Sequence, residues 1–224
     1  MGEKAGKMRA VSTTPELAAE PARARRYDPA ETRTRVLEAA YLLFGTRGFE
    51  GTGTAEIARA ANVSEGSIFY HFRSKQGLLT ELGRMHGQKM IVAMKRDDAI
   101  EDISCAISIR RCFEFVETTN AWENGEGPCP ATPSTYQQMK QAPEGEIFFQ
   151  ASREMLVEWT KAHLKAFAAK TGRTLPDDEM AASLIFAVVK ESLNRYMDPA
   201  ATPAERKAIL DECVRFCSAA VGEP

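Results

Sequence analysis

Between Val63 and Lys75 the chain reads Val-Ser-Glu-Gly-Ser-Ile-Phe-Tyr-His-Phe-Arg-Ser-Lys. Ser67 and Tyr70 fall three apart, on the helix face opposite Ile68 and Phe72. Hydroxyls, the His71 imidazole and the Lys75 ammonium along one edge can bond phosphates and base edges of a duplex. They do not form a catalytic set. No Ser-His-Asp order can be placed, and Lys170-Thr171-Gly172 lacks the upstream glycine of a phosphate-binding loop. His86 and His163 stand alone and no Cys-x-x-Cys pair occurs, so neither a metal site nor a cofactor is indicated.

Such an edge needs elements to hold it. Val36, Leu37, Ala40, Leu43 and Phe44 repeat at helical spacing and predict a helix over 30–47, with Gly48 as its C-terminal cap. A second helix fits 54–61, after Gly53, with Glu56 placed to reach back to its start. Asn62 is a suitable stop because Asn tolerates left-handed backbone. Ser64 caps a third helix over 65–72 and Ser74 a fourth from Lys75, which carries Leu78, Leu79 and Leu82. Two short helices joined by three residues make a helix-turn-helix pattern. Gly66 removes a side chain where that third helix would come closest to DNA.

Further helices are predicted over 84–96, 100–120, 144–170, 177–197 and 204–221, with a Gly- and Pro-rich loop over 123–134. No strand has convincing alternation, so the fold class is all-α: a three-helix N-terminal unit and a helical C-terminal unit. The domain reading is 1–28 a basic arm, 29–80 the helix-turn-helix, and 81–224 the helical remainder. The arm has almost no large apolar residue and carries Arg23, Arg25 and Arg26. Formal net charge is −2, but residues 1–75 hold 12 Lys/Arg against 9 Asp/Glu, a mild basic surplus. No signal-peptide core and no bilayer-spanning run occurs, so the expected location is cytoplasmic, with no membrane partner. The five cysteines read as small buried hydrophobes, with a redox-sensing pair as the minority alternative.

Val36–Leu79 closely resembles the DNA-binding domain of the TetR family. The resemblance lies in V-L-E-A-A-Y-L-L-F-G-T-R-G-F-E-G-T, then E-I-A-R-A-A-N-V-S-E-G-S-I-F-Y-H-F, then S-K-Q-G-L-L, all in register. It implies a DNA face of Thr52, Ser64, Ser67, Phe69, Tyr70, His71 and Lys75, shaped by Gly66. Lys75 is then expected at a phosphate. Three departures stand out: Phe69 replaces a usual Tyr, Gly53 replaces a hydroxyl cap, and Glu65 is acidic where Lys is common. Glu65 would repel phosphates yet could accept from a base amine.

The resemblance further implies a transcriptional regulator, a repressor released from double-stranded operator DNA by a small apolar or amphipathic effector. Two DNA heads require a homodimer, expected through the last two helices. Their apolar faces are Ala182, Ile185, Phe186, Val189, Leu193 and Tyr196 on one, and Ile209, Cys213, Phe216 and Ala220 on the other. Effector contacts are expected among Met90, Met94, Phe113, Trp122, Phe148 and Trp159, although large side chains at helical spacing are more often plain core. Gly83 and Gly87 are candidate weak points for a swing of the fourth helix. An effector-independent repressor or architectural DNA-binding protein is the alternative, and an enzyme the remote one.

Overall fold

A computed structural model describes residues 28–123, 139, 141–175 and 177–223. The basic arm, the Gly- and Pro-rich loop from residue 124 on, and the side chain of Trp122 lie outside the described residues. The described residues form eight α-helices and one short 3-10 turn at Ile100–Asp102, with no strand. In chain order the helices are α1 Pro29–Arg47, α2 Thr54–Ala60, α3 Glu65–Phe72, α4 Lys75–Lys95, α5 Cys105–Glu123, α6 Gly145–Thr171, α7 Asp178–Tyr196 and α8 Pro203–Ala220. The segments predicted as a fourth helix from Lys75 and another over 84–96 are one continuous helix. None of the described helices is long and apolar enough to cross a membrane.

Local chemistry sets the ends of these helices. The Asp28 carboxylate accepts from the amides of Ala30 and Glu31, and Pro29 occupies the first helical position of α1. Gly48 ends α1 at φ 74°, a conformation that a side chain would strain. Asn62 takes φ 53° in the turn between α2 and α3. Ser64, Ser74 and Asp177 each accept from a first-turn amide of the next helix. Thr202 and Glu205 close a reciprocal capping box at α8. Glu56 does not reach back as expected; it pairs with Arg47, tying α2 to the end of α1.

Val36, Ala40, Phe44, Ile57, Ile68, Leu78, Leu79 and Leu82 make the core that joins α1 to α4. That core runs on into the body, because Met139 and Phe148 are buried in the same cluster. Helix α4 is the shared strut. Its later residues Met90, Ile91 and Met94 pack with Cys112 and Leu156. A third cluster holds Phe113 and Tyr196, ring edge to face at 5.0 Å, with Ala182, Ile185, Cys213 and Cys217. The carboxylate of Glu223 accepts from the amides of Cys105 and Ala106, pinning the C-terminus to the start of α5.

Gly83 and Gly87 are not weak points. They form the seat on which α6 lies: a Cβ at 83 would sit 2.2 Å from the Phe148 carbonyl oxygen, and one at 87 would sit 3.1 Å from that of Ser152. The faces predicted for dimerisation are also corrected in part. Ala182, Ile185, Tyr196 and Cys213 are sealed inside the chain's own core, and Phe186, Val189, Leu193 and Ile209 lean on it. The large apolar residues left exposed on α7 and α8 are Met180, Leu184 and Phe216.

Two histidines give the body a pH response. The His86 ring packs against Phe148 and Phe115, and burial, then Lys89, pushes its pKa down to about 4. Burial also lowers His163, despite the bond its Nε2–H donates to the Ile103 carbonyl. A folded pKa below the unfolded one means that the neutral ring favours folding. That stability is complete above pH 6.5 and erodes as pH falls toward 4. His86→Phe is expected to flatten urea-melt stability over this window, by about 3 kcal/mol at most.

Candidate nucleic-acid interface

Helix α3 is anchored from beneath by Ile68 and Phe72, both buried, so its opposite edge must face outward. Tyr70 is 70% exposed and Phe69 46%, with Ser64, Glu65 and Gly66 also exposed. The Ser64 hydroxyl bonds the Ser67 amide at 3.2 Å and the Ser67 hydroxyl at 2.9 Å. His71 is half-buried, its ring 5.0 Å from that of Tyr70. Ser64, Gly66, Ser67, Phe69, Tyr70 and His71 therefore come together on one short helix and its cap.

Gly66 has no internal reason to be glycine. A Cβ there would meet nothing nearer than the Ser64 hydroxyl at 3.8 Å, an ordinary contact. Its backbone is also helical, so glycine costs about 1 kcal/mol relative to alanine. The missing side chain instead leaves the helix surface open to a close approach from outside.

Thr52 and Lys75 stand apart from the expected face. Thr52 is buried, its hydroxyl donating to the carbonyls of Gly48 at 2.8 Å and Leu43 at 3.2 Å. The Lys75 ammonium donates to the carbonyls of Phe49 at 2.9 Å and Thr52 at 3.2 Å, and lies 4.1 Å from the Phe49 ring centroid. Both side chains lock the turn between α1 and α2 by adding donors to its carbonyls. The Lys75 ammonium, expected at a phosphate, is held here by this clamp. Lys75→Ala is accordingly expected to cost about 2 kcal/mol of folding stability in urea melts. The salt dependence of DNA binding should keep its slope, where loss of a phosphate contact would lower it by about one unit.

Three further residues that the sequence did not single out as DNA contacts lie on α2 or at the end of α3 or bond to its first residue. Exposed Arg73, at φ 69°, follows α3 directly and places a guanidinium at its far end. Thr54, at the start of α2, donates to the Glu65 carboxylate at 2.5 Å. Arg59 is exposed on α2. Arg73 and Arg59 were visible only as charges; the turn geometry that exposes Arg73 was not.

The residues expected to hold an effector do not form one group. Met90, Met94 and Trp159 meet in the cluster between α4, α5 and α6, whereas Phe113 belongs to the α5–α8 core and Phe148 to the head core. The Trp159 indole N–H is buried with no acceptor among the described residues, and its ring stacks on His163 at 5.0 Å. A separate groove of about 690 Å³ lies where α1 meets α4, with Leu37, Met85, Val92, Phe115 and Met155 on its apolar wall. Arg33 and Arg84 at its rim share the Glu81 carboxylate. No group of metal-binding side chains occurs among the described residues. Cys105, Cys112, Cys213 and Cys217 are all buried, and burial pushes Cys105 and Cys112 up to about 12, away from thiolate chemistry.

Residues 36–82 match the sequence profile of the bacterial regulatory proteins of the tetR family. The match covers the helix-turn-helix segment and is a likeness to the TetR family's DNA-binding domain. Over 74 residues the chain is 39% identical to the HTH-type transcriptional regulator YvkB of Bacillus subtilis, a match over 32% of this chain and 39% of that protein. The chain thus matches well under two thirds of the length of such relatives. Solved structures extend the fold likeness beyond the TetR-family head. Salmonella enterica GusR superposes with a TM-score of 0.54 at 18% identity, over 88% of this chain and 98% of that one. The transcriptional regulator FadR from Bacillus subtilis, in complex with stearoyl-CoA, gives 0.51 at 15% identity, over 84% and 98%. At these identities the likeness is one of fold: a TetR-type head on a helical body.

Proposed function

We propose that this chain is a sequence-specific DNA-binding transcriptional regulator, working in the cytoplasm as a homodimeric repressor on double-stranded operator DNA. One observation carries the reading. A short helix, fixed from below by Ile68 and Phe72, offers Ser67, Phe69 and Tyr70 around a glycine that the protein's own packing does not require. That is the shape of a helix built to enter a major groove about 12 Å wide. Tyr70 has a ring for a thymine methyl and a hydroxyl for a phosphate, and Arg73 supplies a cation at the groove's edge.

Dimerisation is proposed through the outer face of α7 and α8, where Met180, Leu184 and Phe216 are each more than half exposed. Exposed apolar side chains on these two helices, paired with the same face of a second copy, would hold two recognition helices at a fixed separation. A small apolar or amphipathic effector is proposed to bind the body and to favour a state in which the heads lose groove register. The acceptorless Trp159 N–H beside Met90 and Met94 marks a place where a ligand oxygen would be welcome. The stearoyl-CoA bound to FadR is a precedent for a small-molecule ligand on this fold.

Selection of a random duplex library by the full-length protein tests the DNA reading. The expected product is an inverted repeat whose half-sites lie about one helical turn, or a whole multiple of it, apart. Recovery of unenriched sequence would refute it.

A further inference from the structure

We propose that Glu65 reads a cytosine amine in the operator, and that Thr54 positions its carboxylate for that contact. The inference rests on the DNA-binding reading above. Glu65 is the first residue of α3, exposed, with side-chain-free Gly66 beside it. It is therefore at the end of the helix that enters the groove first. Its carboxylate is not left to roam, because the Thr54 hydroxyl, from the start of α2, donates to Oε1 at 2.5 Å. An ionised carboxylate has about four acceptor sites, so this bond leaves Oε2 and further lone pairs available.

The chemistry of the four bases then selects among them. A carboxylate can only accept, and phosphates repel it. In the major groove guanine shows two acceptors and thymine one acceptor and a methyl group, so both are unfavourable. Adenine has an amine, but the N7 acceptor beside it repels a second acceptor; it suits Asn or Gln, which donate as well as accept. Cytosine N4 is a donor on a base with no other polar group at that edge. An acidic residue at this position weakens binding to DNA at large through repulsion, and recovers that loss only where a cytosine amine meets it. The Thr54 bond adds selectivity by holding the carboxylate in one geometry, so that it does not shift to another donor.

A simpler role is open to Glu65, since an acid in the first turn favours the helix dipole. The two roles are separable in binding data. Full-length wild type, E65Q and T54V would be titrated by fluorescence anisotropy against the selected operator and a panel with all four bases at each half-site position. Melting temperatures would be recorded in parallel. The expected result is one position per half-site where wild type prefers cytosine about tenfold or more. E65Q should lose that preference and turn toward adenine, while binding random duplex more tightly. T54V should keep the melting temperature within a few degrees and reduce the cytosine preference at least threefold.

If E65Q gains affinity equally for every sequence in the panel, Glu65 is only a repulsive or helix-stabilising charge and the proposal is overturned. Selective wild-type binding without any fixed cytosine overturns this proposal alone. Absence of selective binding by the wild type overturns both this proposal and the regulatory reading. Should T54V unfold, the base shift in E65Q still decides the role of Glu65.

Discussion

Tyr70→Ala is expected to bind operator about ten- to a hundredfold more weakly while its melting curve overlays that of the wild type. The side chain is 70% exposed and supports no buried contact, so its removal should change folding stability by no more than about 0.5 kcal/mol. A base-edge or methyl contact is worth about 1–3 kcal/mol of binding, which gives the range. Fluorescence anisotropy with the selected operator, at one fixed salt concentration, is the measurement. Because a thymine methyl is one of the groups that the ring can cover, the loss should be concentrated at one operator position. An even loss across all sequences would assign Tyr70 to a phosphate instead.

Gly83→Ala should act in the opposite way, on the scaffold first and on DNA only through it. A methyl group at 83 would lie 2.2 Å from the Phe148 carbonyl oxygen, a backbone atom that cannot swing aside. Helices α4 and α6 would have to separate, at a cost of about 3 kcal/mol, of which better helix propensity returns about 1. Urea melts should therefore show a loss of about 2 kcal/mol. The same displacement moves the strut that carries α3, so operator affinity should fall with stability. A stability gain in Gly83→Ala would mean that the helices are not in the close contact described.

The parts of this fold that were legible in the sequence are those decided within a few residues. Ser64 caps α3 and Ser74 caps α4, Gly48 stops α1 and Asn62 turns the chain after α2, and Ile68 and Phe72 share a buried face, all from local spacing. The parts that were not legible depend on what a side chain meets far along the chain. Thr52 and Lys75 have the composition of DNA contacts, yet the path of the turn brings the carbonyls of Gly48 and Phe49 to them first. On α7 an apolar stripe is visible, but periodicity does not say whether it faces the chain's own α5 and α8 or a partner. Ile185 and Tyr196 go inward, and Met180 and Leu184 remain outside. For effector contacts the same limit is sharper. Phe113 and Phe148 are as large and apolar as any pocket residue, and both are spent on separate cores.

A DNA-binding role for this chain requires the outer edge of α3 to press closely against a duplex, and Gly66→Leu tests that most directly. Position 66 is exposed, a Cβ there meets no close protein atom, and leucine has the better helix propensity, so the melting temperature should hold or rise. Operator affinity, measured on the same preparation, should drop at least tenfold because leucine fills the space that DNA needs. Unchanged affinity in a stably folded Gly66→Leu protein would contradict a close approach of DNA to α3.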